Sequence, residues 1–364
     1  MTKKTNAFRT ALFGFSIWIA GNIYAYNPPA GAESAAEFAS PLLLGGTGGA
    51  AGSPLEAALP GDLWINPALS AGEQRVLLDV SYAGLYGAQD ERGYGNAVNL
   101  GAVVPTSFAV FGGSLNFLQS PFDALLPLGT SLGVNFTVSK DLTERFYTGI
   151  GVSARMGSGR AGVSASLGAL YHFGDLAFLR DFRLGVSVTG LGTAFRPDGV
   201  AGIRGGTEDA DGFPGAFTLH TGLSFLAVDN GMLKAGFSAG ASFPSFQNTV
   251  LRVGAEAEIR ELVFAKAGWT CNFAELAEDC ASLMPSVSLG VRLKIGSAAA
   301  GKLTDRQDWM ESELTPSAGY KYFDGGIHAF SAGATLRLGQ EDESGPEIEI
   351  LLPGGNPETE RVAF

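Results

Sequence analysis

The chain has 364 residues, of which 46% are hydrophobic and only 16% charged, and its formal net charge is −12. An acidic chain has no electrostatic attraction to a phosphate backbone, which excludes nucleic acid as a partner. Glycine contributes 52 residues without a collagen period, about twice the usual share. Such a content is typical of a β-structured wall that must bend and pack closely.

The N-terminus predicts a signal peptide over residues 1–25. Lys3, Lys4 and Arg9 form a basic start, a mostly apolar stretch follows, and Ala25 offers a small residue for cleavage. The apolar stretch is only about 13 residues long and a spanning helix needs roughly 20, which favours a cleaved signal over an anchor. Cleavage would leave a mature chain with a charge of −12 − 3 = −15.

Three further segments follow from the pattern of hydrophobicity. Residues 26–73 show little alternation and predict a compact hatch, or plug. Residues 74–339 alternate with a period of two and predict the barrel wall. Residues 340–364 are acidic and contain three prolines, which predicts a flexible periplasmic tail.

The wall segment predicts fourteen strands. In the clearest one, 130–140, Leu132, Val134 and Phe136 alternate with serine, glycine, asparagine and threonine. The others are 75–86, 96–104, 108–117, 146–156, 161–173, 182–192, 216–228, 232–243, 249–259, 262–270, 286–295, 314–323 and 327–338. Each has about the 9 to 11 residues of a tilted membrane strand, and an even number allows a single chain to close.

Small polar residues occupy one of the two faces of the predicted strands, and they decide between two all-β architectures. In a soluble β-sandwich they would form a poor core, whereas a lumen accepts them easily. We therefore predict an all-β fold, a transmembrane antiparallel β-barrel of about 14 strands with an N-terminal plug, in the outer membrane. With the first strand running outward, short turns fall on the periplasmic side and long loops outside. The long segment 297–313 does not fit this rule and indicates a miscounted strand or a small helix.

Cys271 and Cys280 lie nine residues apart in one polar segment. In an exported chain they predict a loop disulfide, because no histidine or second cysteine pair accompanies them. We expect no metal and no cofactor.

The alternation also predicts an excess of basic side chains in the lumen. Nine bases face inward against three acids, Asp79, Glu256 and Glu258. The bases are Arg155, Arg183, Lys234, Arg252, Lys266, Arg292, Lys294, Lys321 and Arg337. The first five of these are the candidate residues for binding a carboxylate ligand, since a charge pair is stronger where water is scarce. Alternatively, the bases pair with acids of the plug and of the C-terminal tail, such as Glu56 and Asp62 of the plug, or solvate the lumen.

The sequence does not favour an enzyme. His172, His220 and His328 lie on different predicted strands, with neither a nucleophile elbow nor metal-ligand spacing. A serine beside the lumen-facing His220 is the one catalytic arrangement left open.

The tripeptide Asn66-Pro67-Ala68, within residues 54–69, stands about seven residues before the first predicted strand. It resembles the signature of the FadL-type long-chain fatty acid transporters, in which a small hatch ends in this tripeptide before the first of fourteen strands. PorV-type barrels and uncharacterised barrel paralogues of spirochaetes are also similar.

The resemblance implies a passive, cofactor-free outer-membrane transporter of long-chain fatty acids or similar hydrophobic molecules. Its ligand would be taken up at the outer loops, held in the lumen and released sideways. Its other partners would be outer-membrane lipid and the barrel-insertion machinery. Two alternatives stay open: a PorV-like scaffold in protein secretion and a general porin.

Overall fold

A computed structural model describes residues 26–46, 49–89, 92–122, 125–157, 160–177, 179–193, 195, 200–204, 210–212, 217–295 and 312–339. The predicted signal peptide, the predicted tail and residues 296–311 lie outside this range. No helix in the described part of the chain has the length and hydropathy to cross a membrane.

Fifteen strand segments form one antiparallel sheet in the described residues. They are β1 Val76–Ala88, β2 Arg92–Pro105, β3 Val110–Ser120, β4 Gly129–Thr143, β5 Phe146–Gly157, β6 Arg160–Leu176, β7 Leu179–Gly192, β8 Thr218–Asp229, β9 Leu233–Pro244, β10 Val250–Ile259, β11 Val263–Asn272, β12 Ser286–Val291, β13 Leu293–Ile295, β14 Ser312–Phe323 and β15 Ile327–Leu338. Only Arg292 separates β12 from β13, and both pair with β14, so the wall has fourteen positions.

The sheet closes because the first strand pairs with the last, from Val76 opposite Leu338 to Gly87 opposite Ile327. The predicted closed antiparallel barrel of fourteen strands is therefore confirmed. Connections of a few residues, such as those at residues 106–109 and 230–232, lie at one end, which we call the short-turn end. The connections 121–128, 193–217 and 273–285 lie at the other, the long-loop end.

The predicted alternation also sets the two faces of the wall. On β4, Val134 and Phe136 are 40% and 52% exposed on the outside, whereas Asn135 and Thr137 are buried inside. The same outward exposure of large apolar side chains recurs around the barrel, for example at Leu100, Ile150 and Leu289. An apolar outer face around a polar lumen is the arrangement of a barrel that lies in lipid.

The pairing of β14 with its neighbour is the least continuous in the wall. β12 pairs with it over four residues, Val287–Gly290, and β13 over three, Leu293–Ile295. The register runs on across the gap, where Pro316 of β14 has no N–H to donate to the ladder. Proline chemistry thus accounts for the split of the predicted strand 286–295 into two segments.

The plug, described over residues 26–46 and 49–73, lies inside the lumen. It contains 3-10 helices at Ala32–Ala39, Gly49–Ala51, Asp62–Trp64 and Pro67–Gly72, and the short helix α1, Pro41–Leu44. It begins at the long-loop end, where the Asn27 backbone N–H donates to the Asp211 side chain, and continues into β1 at the short-turn end. Buried apolar side chains, including Phe38, Leu44 and Phe323, pack it against the wall.

The predicted disulfide is not formed in this structure, where Cys271 and Cys280 are both free thiols. Cys271 is buried at the end of β11, whereas Cys280 follows helix α2, Phe273–Ala277. The Cys280 thiol donates to the Glu275 carbonyl oxygen at 3.5 Å, which directs it back onto its own helical turn. Burial raises the pKa of Cys280 to about 11, so this thiol is a weak nucleophile.

Candidate functional site

The Asn66-Pro67-Ala68 motif fastens the plug to the wall. Asn66 is fully buried, and its side-chain oxygen accepts a hydrogen bond from Ala68 N at 2.9 Å, which caps the 3-10 helix that Pro67 begins. Its amide nitrogen donates to Ala50 O at 2.7 Å and to Ala169 O of β6 at 3.2 Å. One side chain thus joins two parts of the plug to one wall strand.

Glycines of the inner wall make room for the plug backbone. A Cβ atom at Gly168 would collide with the Asn66 side chain, and one at Gly185 would collide with the Ala50 carbonyl. Gly149, beneath Pro67, and Gly268, beneath Gly45, show the same close approach. Part of the high glycine content therefore serves the contact between wall and plug.

Ion pairs connect inward-facing bases to plug acids. Lys266 Nζ lies 2.6 Å from Glu56 Oε2 and 3.5 Å from Glu256 Oε2. Ser53 of the plug donates to the same Glu256 at 2.5 Å. Nearer the long-loop end, Glu37 of the plug pairs with both Arg252 and Lys321. The interpretation that lumen bases pair with plug acids is confirmed for these residues.

The buried acids of the plug have different pKa values, because their neighbours differ. It would raise the pKa of Glu56, but the adjacent Lys266 ammonium outweighs it and lowers that pKa below the usual value. Asp62 has no base in contact. It accepts a hydrogen bond from Leu59 N at 2.8 Å, which lowers its pKa, but burial outweighs this effect and raises the pKa of Asp62 to about 7. Burial likewise raises the pKa of Glu33 to about 7. Asp62, which we expected to pair with a lumen base, does not do so.

A cavity of about 100 Å³, the loop-end cavity, lies between the plug and the wall. Plug residues form one side of it, among them the apolar Ala32, Ala36 and Trp64 and the acids Glu33 and Glu37. Serines, threonines and asparagines of the wall form the other side, together with Arg155 and Arg252. The cavity can therefore contact both an apolar body and a polar or anionic group.

Arg155 stands on the wall side of the loop-end cavity. It is buried, donates to Ser131 Oγ at 3.0 Å, and its guanidinium lies 5.4 Å from the centroid of the Trp64 ring. Arg252, by contrast, is held by Glu37 at 3.4 Å and donates to the Glu33 carbonyl oxygen at 2.9 Å. Both guanidinium groups therefore lie where an anion in the cavity could meet them.

His220 also lines the loop-end cavity. Its Nδ1 lies 2.8 Å from Ser242 Oγ and its Nε2 lies 2.9 Å from Thr189 Oγ1. A serine does contact His220, but a hydroxyl rather than a carboxylate orients the second ring nitrogen, so the arrangement lacks the acid of a hydrolytic triad. Among the described residues, His, Cys, Asp and Glu form no group of three or more that could hold a metal.

A second and larger cavity, of about 740 Å³, opens at the short-turn end and is called the vestibule below. Arg183 and Lys234 line it. Lys266 lines neither of these cavities; it is buried in its ion pairs with Glu56 and Glu256. The five bases predicted to bind a ligand therefore do not form one site: Arg155 and Arg252 line the loop-end cavity, and the other three do not.

The plug side of the loop-end cavity could not be found from the sequence. Trp64 and Glu37 belong to a segment without periodicity, where no rule predicts the direction of a side chain. The proximity of Trp64 to the Asn66-Pro67-Ala68 motif, two positions along the chain, was the one available indication.

No protein-family model matches the sequence, and no curated protein matches it. Among solved structures it is similar to the CymD monoaromatic hydrocarbon channel, with 12% identity and a TM-score of 0.51 over 84% of this chain and 98% of that one. The Pseudomonas putida toluene transporter TodX has 12% identity and a TM-score of 0.47 over 86% and 98%. The Ralstonia pickettii toluene transporter TbuX has 14% identity and a TM-score of 0.45 over 82% and 99%. At this identity, the likeness to CymD shows a shared fold.

Proposed function

We propose that this chain is an outer-membrane channel for the passive uptake of hydrophobic molecules, with long-chain fatty acids as its substrates. The observation that supports this most is the loop-end cavity, where the alanines and Trp64 of the plug face polar wall residues inside a barrel with an apolar exterior. A hydrophobic cargo agrees with the similarity to CymD, a monoaromatic hydrocarbon channel.

The cavity assigns a place to each end of a fatty acid. The acyl chain would lie against the alanines of the plug and the Trp64 ring, where apolar surface leaves water. The carboxylate would meet the Arg155 guanidinium, whose fork of donors matches its two oxygens. Hydrocarbons without a carboxylate would use the apolar side alone.

Uptake on this scheme requires the plug to move. The cavity volume of about 100 Å³ is below the roughly 300 to 1,000 Å³ of typical small-molecule pockets. Apolar packing, hydrogen bonds and ion pairs attach the plug to the wall, among them the hydrogen bond of Asn66 and the ion pairs of Glu37 and Glu56. Rearrangement of these contacts would enlarge the cavity and open a route to the vestibule.

Equilibrium binding of a fluorescent long-chain fatty acid to the detergent-purified, refolded protein tests the proposal, together with mass spectrometry of extracted lipids. Arg155→Met is expected to weaken binding about tenfold or more, because one charge-assisted hydrogen-bonding partner is lost. Arg180→Met is the control, since Arg180 is exposed and lines neither cavity, and it should leave binding unchanged.

Failure of wild type to bind fatty acid would overturn the fatty acid assignment. Steady ion conductance in planar bilayers without such binding would instead indicate a general porin. Protein partners that copurify with a barrel free of lipid would indicate a scaffold in secretion.

A further inference from the structure

The vestibule at the short-turn end is rich in basic side chains, although the chain as a whole is acidic. Six bases line it, against four acids, Glu56, Glu73, Glu261 and Glu313. The bases are Arg75, Arg183, Lys234, Arg292, Lys294 and Arg337. A concave surface with this excess attracts anions, because low-dielectric walls focus its field.

Most of these acids already have basic partners. Glu313 lies 3.4 Å from Arg75 and 3.6 Å from Arg292. Glu56 pairs with Lys266, and Glu261 lies 3.1 Å from Lys234. In direct contact, Glu56, Glu261 and Glu313 are thus engaged by bases other than Arg337, although the charge of Arg337 also acts on Glu56 from a longer distance.

Arg337 differs from the other arginines that line the vestibule, because no acid of the described residues is in contact with its guanidinium. It is only 8% exposed, and its Nε atom is buried without a hydrogen-bond partner. The residue directly across the ladder on β14 is Glu313, whose carboxylate contacts Arg75 and Arg292 instead. Within the described residues, Arg337 makes no ion pair and no hydrogen bond through its side chain.

A guanidinium cannot lose its proton in a protein, so a buried one without an anion is unfavourable. We propose that the vestibule is a carboxylate-binding site in which Arg337 is the anchoring residue. This site differs from the loop-end cavity in position and chemistry, because its lining is mainly polar. It needs no apolar ligand, and it does not depend on the proposed uptake of fatty acids.

Two sources can supply the carboxylate. One is a free carboxylate that enters from the short-turn side. The other is the chain itself, since Gly339 is followed by 25 residues with seven acids and one base. The acids are Glu341, Asp342, Glu343, Glu347, Glu349, Glu358 and Glu360, and the base is Arg361. Their covalent attachment two residues after Arg337 gives them a high effective concentration at the vestibule.

Two measurements on the full chain test the site and separate these sources. Saturation-transfer NMR with succinate, a dicarboxylate without an acyl chain, reports binding of a free carboxylate. The rate at which a glutamate-specific protease removes the residues after Gly339 reports their protection. Both are made on wild type, on Arg337→Gln and on Arg180→Gln, the last being an exposed arginine near the same end of the barrel. Retention of heat-modifiable mobility on gels shows that each variant has folded.

Succinate binding that weakens about tenfold in Arg337→Gln, but not in Arg180→Gln, supports a site filled from solution. Faster proteolysis in Arg337→Gln, and in wild type with added succinate, supports occupation by the chain's own acids. If folded Arg337→Gln matches wild type in both measurements, the proposal is overturned. Because succinate has no acyl chain, this failure is independent of the outcome for fatty acid binding.

Discussion

Lys266 of wall strand β11 and Glu56 of the plug form an ion pair of 2.6 Å that is closed to solvent on both sides. Glu256 completes the group, 3.5 Å from the same ammonium. The wall and the plug are therefore joined by one cation between two carboxylates. Removal of that cation leaves two buried negative charges, which is a large perturbation at the centre of the lumen.

We expect Lys266→Met to destabilise the docked plug by about 3 to 5 kcal/mol, the usual cost of breaking a buried pair. The double variant with Glu56→Gln should recover part of this loss, because one unpaired carboxylate is removed with its partner. Protection of residues 49–72 in hydrogen exchange measures both effects. Lys140→Met, at an exposed position, is the control. Equal destabilisation in the single and double variants would show that the pair is not coupled.

Asn66→Asp separates the two functions of the motif. An aspartate keeps the acceptor that caps the helix at Ala68, but it cannot donate to Ala50 O or Ala169 O. We expect Asn66→Asp to lower the protection of the plug by about 1 to 3 kcal/mol, as for buried carbonyls left without donors. Asn66→Ala should be at least as damaging, because the cap is also lost. Hydrogen exchange measures both variants. If Asn66→Asp protects the plug from exchange as well as wild type does, the helix cap alone accounts for the contribution of Asn66.

Gly168→Val is expected to displace the plug without opening the wall. The new side chain would occupy the space of the Asn66 side chain, whereas a β-branched residue suits the strand itself. Single-channel recordings in planar bilayers should show raised ion conductance, and heat-modifiable mobility should persist. Gly113→Ala, where the nearest atom to an added Cβ is 3.7 Å away, should conduct like wild type. Unchanged conductance in folded Gly168→Val would mean that the plug tolerates the substitution.

Rising pH is expected to loosen the plug. Burial raises the pKa of Asp62 from 3.8 to about 7, so the folded state holds a proton that the unfolded state has lost between those values. The contribution of Asp62 to the stability of the folded plug is therefore largest below pH 3.8, and it decreases as the pH rises towards 7. Proteolytic protection of the plug should decrease between about pH 4 and pH 7. Asp62→Asn should flatten this dependence, leaving the part due to Glu33. An unchanged pH profile in Asp62→Asn would assign the effect elsewhere.

The wall could be predicted from the sequence because a strand in lipid imposes a strict period of two. The predicted 327–338 matches β15 at both ends, and 130–140 lies within β4. The split at Arg292 was missed, since it depends on Pro316 of the neighbouring strand. Likewise, the inward direction of Arg155 and Lys266 followed from alternation, but the distance between them did not. The plug has no period, and its path around the lumen is set by contacts with distant strands such as β6 and β11.

The plug begins at the long-loop end and is continuous with β1 at the opposite rim, and β1 also closes the ring against β15. This connectivity constrains biogenesis. Once the first and last strands have joined, no side entrance remains, and the tether to β1 holds the plug at the short-turn rim. The lumen is therefore filled either before ring closure or afterwards by threading from that rim, with the N-terminal end leading. In both cases plug docking is part of barrel assembly, so mutations that slow plug docking should also change the kinetics of assembly.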